Sequence, residues 1–258
     1  TGYYSQDGDY PAFHVTAITH RKNPVYLTTI VGKPPQEDFY MGKATERIFL
    51  PLMRTQLPEI VDMNMPAEGV FHNLVIVSID KRFPMQARRL MHALWGMGQM
   101  SFVKIIIVVD GSVNVHNINL IVDRILNRDR LDRGLFFSEG ILDVLNHASD
   151  RPCFGSKLGI DITAPLEGEA GFDDTAESPQ TDNPTSSDII RKNFPEIKSF
   201  RILKRNVRVC VAFATLDKQG PGQGLKLIEK FMNNPDCSTV SVLIVLEGHE
   251  DVSNLSTL

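Results

Sequence analysis

The sequence predicts an α/β fold: a βαβ-containing three-layer domain, present twice, with a β-hairpin ahead of it. Three observations lead there. Two nearly continuous apolar runs, Leu74–Ile79 and Ile105–Val109, flank a segment with Ala87, Leu90, Met91 and Leu94 at helical spacing. Continuous apolar strands joined by one helix indicate parallel strands covered on both faces. The chain also repeats itself, Asp80-Lys81 recurring as Asp217-Lys218. Finally, residues 12–31 alternate β-branched and polar side chains about a proline-bearing turn.

Taken in order, Phe13, Val15, Ala17 and Ile18 form one strand of the hairpin and Val25–Val31 the other, joined by Arg21-Lys22-Asn23-Pro24. Gly32-Lys33-Pro34-Pro35 then breaks the sheet. From Asp38 to Gln56, Met41, Ile48, Phe49, Leu52 and Met53 recur at helical spacing, with Asp38 as the cap. Pro84 opens the helix between the apolar strands, as proline favours the first helical position. Asp110-Gly111 ends the second strand, and a further helix covers about Ile118–Asn127. Residues 164–190 hold seven acidic residues and no Lys or Arg, among Pro, Ser, Thr and Gly, which reads as a solvated, partly disordered linker.

The offset that carries Asp80 to Asp217 also carries Pro58-Glu59-Ile60 to Pro195-Glu196-Ile197, Gln86 to Gln223, Leu90 to Leu227, Gly111 to Gly248 and Val115 to Val252. No gap is needed, and Ile106–Val109 aligns with Leu243–Leu246. Leu258 then matches Ile121, so the second copy is expected to be cut short inside its next helix. The copies differ chemically. The first helix carries Arg88-Arg89, His92 and Trp95 where the second carries Leu225-Lys226, Glu229 and Met232.

The 258 residues are 42% hydrophobic and 22% charged, enough apolar material for a core. A net charge of −4 gives no basic excess, which argues against nucleic acid or an anionic membrane as the main partner and leaves at most peripheral membrane association. Cys153, Cys210 and Cys237 match neither a disulfide scaffold nor a metal-site spacing, so a reducing, cytoplasmic compartment is expected. No P-loop, nucleophile elbow or H-E-x-x-H motif occurs. Gly220-Pro221-Gly222-Gln223-Gly224 lacks a lysine and fits a turn before a helix. Gly155-Ser156-Lys157-Leu158-Gly159 combines open backbone with a positive charge, and reads either as a plain surface turn or as a phosphate-holding one. Glu37-Asp38 suits a helix start better than acid–base work.

Several segments together resemble one family. They are Thr1-Gly2-Tyr3-Tyr4-Ser5, His14–Arg21, Thr28–Pro35, Pro58–Asp62, Pro66-Ala67-Glu68-Gly69 and Gly155–Asp161, in the order the family has them. The family is the UbiD-like decarboxylases, which includes 3-octaprenyl-4-hydroxybenzoate carboxy-lyase and a menaquinone-pathway relative. The resemblance covers about Thr1 to Ala164. It implies non-oxidative decarboxylation of an aromatic or α,β-unsaturated acid with prenylated FMN, in ubiquinone or menaquinone synthesis. It further implies a flavin prenyltransferase as cofactor supplier, a divalent metal (Mn or Mg) and potassium held outside this chain, and a homo-oligomer. The family's catalytic acids fall just ahead of Thr1, so no catalytic residue is expected here, and residues 1–258 alone are expected to be inactive. By the same resemblance Lys157 reaches the cofactor's phosphate, and Val31 and Met41 line the cofactor and substrate pocket. The domains expected are 1–33, the last hairpin of a flavin-binding split β-barrel; 34–163, an α/β domain; 164–190, the acidic linker; and 191–258, the second, truncated repeat. Two other readings stand beside this one: a non-catalytic assembly module of duplicated α/β units, and a phosphate-ligand-binding domain using Lys157.

Overall fold

The computed structural model describes residues 7–28, 35–70, 72–128, 131–149, 151–169, 187–203, 209–249 and 252. Its elements are α1 (Glu37–Gln56), β1 (Ile60–Asn64), β2 (Leu74–Ile79), α2 (Gln86–Trp95), a 3-10 turn (Gly98–Phe102), β3 (Ile105–Asp110), α3 (Ile118–Leu126), α4 (Leu131–Gly134), β4 (Leu135–Ile141), β5 (Phe154–Asp161), α5 (Ser187–Asn193), β6 (Ile197–Ile202), β7 (Val211–Leu216), α6 (Gln223–Met232) and β8 (Val242–Glu247). They divide into two compact units, Thr1–His116 with Leu135–Thr163, and Asn117–Gly134 with Ala164–Leu258.

The first unit holds a five-stranded sheet ordered β1-β2-β3-β5-β4. β2, β3 and β5 run parallel, and β1 and β4 close the edges antiparallel. β2 and β3 are buried on both faces, which is why they read as unbroken apolar runs. On one face Val75, Val77, Ile79, Ile106 and Val108 pack with Ala87, Leu90, Met91 and Leu94 of α2, and Leu50 and Met53 of α1 add to the cluster. β5 passes beneath α2 at Gly159, where any β-carbon would overlap Met91 Sδ.

The second unit holds a three-stranded sheet, β6-β7-β8, with β7 and β8 parallel and β6 antiparallel. Ile190, Phe194, Ala212, Ala214, Leu227 and Phe231 make its core, with the Phe194 and Phe231 rings 5.2 Å apart. Residues 117–134 belong with this unit, where the Val209 amide donates to the Leu126 carbonyl at 2.8 Å.

β6, β7, α6 and β8 start at Ile197, Val211, Gln223 and Val242, each at the offset from Ile60, Leu74, Gln86 and Ile105 that the sequence repeat sets. Local irregularities recur as well. β1 has a register shift between Ile60 and Asp62, and β6 has one between Ile197 and Ser199. The Arg82 amide donates to Gln86 Oε1, and the Gln219 amide to Gln223 Oε1, both at 2.7 Å. Asn64 Nδ2 donates to the Val115 carbonyl, and Arg201 donates from its counterpart position to the Val252 carbonyl, both at 2.9 Å.

Several expectations need correction. Pro84 does not open α2. Met85 precedes the helix with φ +66, where its counterpart Gly222 has φ +74, and the Gln86 side chain closes the turn. Asp38 lies in the first turn of α1 rather than at its cap, which is Gln36. Gly155–Gly159 is no turn but the middle of β5, held there by pairing with β3 and β4. The hairpin over 12–31 is not formed in the described part, residues 7–28, where Phe13 and Val25 are more than nine-tenths exposed. A lone strand pair buries too little to hold itself. Residues 29–34 lie outside the described residues, as do 170–186 of the acidic segment. The end of that segment is helical, because α5 starts at Ser187 and buries Ile190.

Gly159→Val places a branched side chain against Met91 in a packed layer. It is expected to lower the stability of the first unit by ~1–3 kcal/mol, read as a lower urea midpoint. An unchanged midpoint contradicts the close approach of β5 to α2.

Candidate functional site

In open α/β sheets ligands bind beyond the carboxyl ends of parallel strands. In the first unit those ends carry Asp80-Lys81-Arg82 after β2, Asp110-Gly111 at the end of β3, and Asp161-Ile162-Thr163 at the end of β5. Lys81 Nζ donates to Thr163 Oγ1 at 2.8 Å, and Thr163 Oγ1 donates to Asp161 Oδ1 at 2.6 Å. Arg82 pairs with Asp80 at 2.8 Å on the exposed side. The set joins the ends of β2 and β5 across β3 by polar side chains, with Thr163 fully buried. The counterpart of Arg82 is Gln219, and Asp217 pairs instead with Lys198 at 2.5 Å, so the second unit does not repeat the arrangement.

α1 is held over β1 by a second polar group. Glu46 is buried, pairs with Lys43 at 2.9 Å and Arg47 at 2.7 Å, and accepts the Met65 amide at 2.5 Å. Lys43 also donates to Asn64 Oδ1 at 2.5 Å. Arg47 pairs with Asp62 at 2.7 Å, and His116 reaches the other Asp62 oxygen at 3.1 Å. Burial pushes the Asp62 carboxyl up, but the Arg47 hydrogen bond, the Met63 amide and the positive charges of Arg47 and His116 outweigh it and hold it below the usual range. For Arg47, burial lowers the pKa, and the bonds and charges of Asp62 and Glu46 more than reverse this. A buried carboxylate needs such partners. Sequence patterning did not single out Glu46 or Asp62; a charged residue on the inward side of an amphipathic helix was the available signal.

Of the sequence-derived site residues, Met41 and Lys157 lie among the described residues. Met41 is 59% exposed on α1. Val31 lies outside the described residues. Lys157 is 3% exposed, and its ammonium donates to the Ser101 carbonyl at 2.7 Å and the Val103 carbonyl at 2.8 Å. Trp95 Nε1 donates to the same Val103 carbonyl at 3.0 Å, and the Lys157 ammonium sits 5.9 Å from the Trp95 ring centre. Burial pushes Lys157 down to about 8. So placed, Lys157 ties β5 to the 3-10 turn through the Ser101 and Val103 carbonyls. Among them no group of three or more His, Cys, Asp or Glu could hold a metal ion, and no helix is long and apolar enough to cross a membrane.

Known proteins share this architecture. The profile of the 3-octaprenyl-4-hydroxybenzoate carboxy-lyase C-terminal domain matches residues 39–162, and that of the same enzyme's Rift-related domain matches residues 1–34. An uncharacterized protein of Archaeoglobus fulgidus is 52% identical over 164 residues, 63% of this chain and 34% of the relative. One of Aquifex aeolicus is 48% identical over 180 residues, 70% of this chain and 36% of the relative. The chain thus spans about a third of the length of these relatives. Vanillic acid decarboxylase of Sedimentibacter hydroxybenzoicus in its closed form superposes with a TM-score of 0.55 and 23% identity, covering 69% of this chain and 37% of that one, and so shares the fold.

The pH dependence of stability tests the burial of Lys157. Between about 8 and its ordinary 10.5, the unfolded chain holds a proton that the folded chain has released. Stability relative to a Lys157→Met variant is therefore expected to rise with pH across that window and to be flat below it, in paired urea titrations. A difference that is flat throughout contradicts the burial.

Proposed function

Because the chain belongs to the UbiD-like carboxy-lyase family, we propose that it forms part of a non-oxidative decarboxylase acting on an aromatic or α,β-unsaturated carboxylic acid, in ubiquinone or menaquinone synthesis. The observation that carries this reading is the match over residues 39–162, which runs from α1 through β5, the whole of the five-stranded sheet. Prenylated FMN is the cofactor this family reading brings. When bound, it supplies an electron sink that an aromatic ring lacks.

The chain's own residues have a narrower part. The sheet and the Glu46 network fix where α1 stands, and with it the exposed Met41. Met41 is proposed to face the pocket, with Val31. Lys157, by contrast, acts through the 3-10 turn it anchors. A divalent metal, potassium and the catalytic acids are proposed to be supplied by residues other than those described. The recurrence of elements at one constant offset is read as a duplication of the α/β unit, with the second copy serving assembly of a homo-oligomer.

The test uses the protein at the length of its relatives, co-expressed with a flavin prenyltransferase. The mass and absorbance of the co-purifying small molecule are expected to be those of prenylated FMN, and residues 1–258 alone are expected to release no CO₂ from a panel of aromatic and unsaturated acids. A folded, longer protein that purifies without flavin contradicts the decarboxylase reading and favours a non-catalytic assembly module.

A further inference from the structure

Two segments of the first unit meet beside the amino end of β2. One is the turn into β2, which carries His72 and Asn73, and the other is residues 142–149, after β4. They meet where His72 Nε2 stands 3.8 Å from Asp143 Oδ1. Each segment also holds a buried polar atom without a hydrogen-bond partner, Asn73 Oδ1 on the first and Asn146 Nδ2 on the second. Such atoms are costly and call for a ligand. The backbone is strained on both flanks. Val70 has φ +51 and Cys153 φ +59, and besides Met85 they are the described non-glycine residues in the left-handed region. Strain of this kind gathers at ligand-holding sites. The main chain does not require these side chains. The Lys104 and Ile105 amides donate to the Asn73 carbonyl at 3.0 and 2.8 Å, and the Ser241 and Val242 amides donate to the Cys210 carbonyl in the same way, at 2.8 and 3.1 Å. Yet the counterparts of His72 and Asn73 in the second unit are Val209 and Cys210.

We propose that His72, Asp143 and Asn73 bind a divalent transition-metal ion, Mn²⁺ or Zn²⁺, which clips the segment after β4 to the turn into β2. This goes beyond the decarboxylase reading and does not depend on it. The His72–Asp143 separation is too long for a hydrogen bond, but two atoms each ~2.1 Å from one ion stand roughly 3–4 Å apart across it. Among the described residues no three His, Cys, Asp or Glu gather, so the amide oxygen of Asn73 completes the set. One imidazole nitrogen among oxygens, with no thiolate, suits Mn²⁺ or Zn²⁺. The carboxylate is already fixed in place, since the Leu145 amide donates to Asp143 Oδ1 at 2.8 Å and the Asn146 amide to the Asp143 carbonyl at 2.9 Å. Asn146 Nδ2, on the same segment, is the donor that orients it, as ligating carboxylates require. The side chains of His72 and Asp143 are 22% and 28% exposed, so an ion reaches them from solvent.

The probe is the metal alone, zinc or manganese chloride, titrated by calorimetry into the whole 258-residue chain after treatment with a chelator. One saturable site is expected. His72→Gln and Asp143→Asn are each expected to weaken it at least tenfold, whereas His14→Gln with His20→Gln, at exposed positions away from the site, is expected to bind as the parent does. In the parent chain, Mn²⁺ is expected to broaden the amide resonances of 72–73 and 143–147 first. That measurement needs no variant, and so decides the matter if either substitution unfolds the chain. The proposal is overturned if the folded chain shows no saturable binding, or if the broadening centres elsewhere. Binding that His72→Gln and Asp143→Asn leave unchanged means an adventitious ion only, and overturns it equally.

Discussion

The pairing of β5 with β3 beneath α2 is the constraint on which the first unit depends. Glycine at 159 permits it, because a β-carbon there would overlap Met91 Sδ and the Met91 side chain would have to move. Once β5 is seated, β4 can pair outside it along its whole length, from Leu135↔Ile160 to Ile141↔Phe154. Lys157 then lies inside, where its ammonium is satisfied by the Ser101 and Val103 carbonyls. The same seating carries Asp161 and Thr163 to the end of the sheet, within reach of Lys81. One close approach therefore closes the sheet, buries a lysine and assembles the polar cluster at its carboxyl edge.

At the other edge the arrangement is electrostatic. α1 leaves Tyr40, Met41, Ile48, Phe49 and Leu52 exposed, so burial of an apolar stripe alone does not fix it. Glu46 does, by bringing Lys43, Arg47 and the Met65 amide onto one buried carboxylate. Removing one partner from such a group leaves a buried charge uncompensated, which costs more than the pair is worth in isolation. Among the described residues the second unit has no counterpart of this network. Its α5 is short and is seated by Ile190 and Phe194 in an apolar core.

Much of this was legible in the sequence. β2 and β3 announce themselves because a strand buried on both faces has no polar alternation to confuse with anything else. β6, β7, α6 and β8 also start at one constant sequence offset from β1, β2, α2 and β3. β5 was hidden by its composition. Gly155, Ser156 and Gly159 have low strand preference, and it is tertiary contact, with Ser149 and Leu142 at Gly155 and with Met91 at Gly159, that suits the glycines there. Lys157 was visible as a charge between glycines, but its burial was not, because a lysine satisfied by two backbone carbonyls leaves no mark in a pattern of side chains. Glu46 was hidden for a related reason. Periodicity marks it as a polar residue on an amphipathic helix, and only the fold puts it on the inner face.

Among the described residues β3 is paired on both sides and β8 with β7 alone, and native-state hydrogen exchange of the chain measures that difference directly. Amides of 105–109 are expected to exchange at least a hundredfold more slowly than those of 242–246, with the lag confined to the edge that β5 covers. Equal protection of the two strands would contradict it, because β8 would then already have a partner on its outer side.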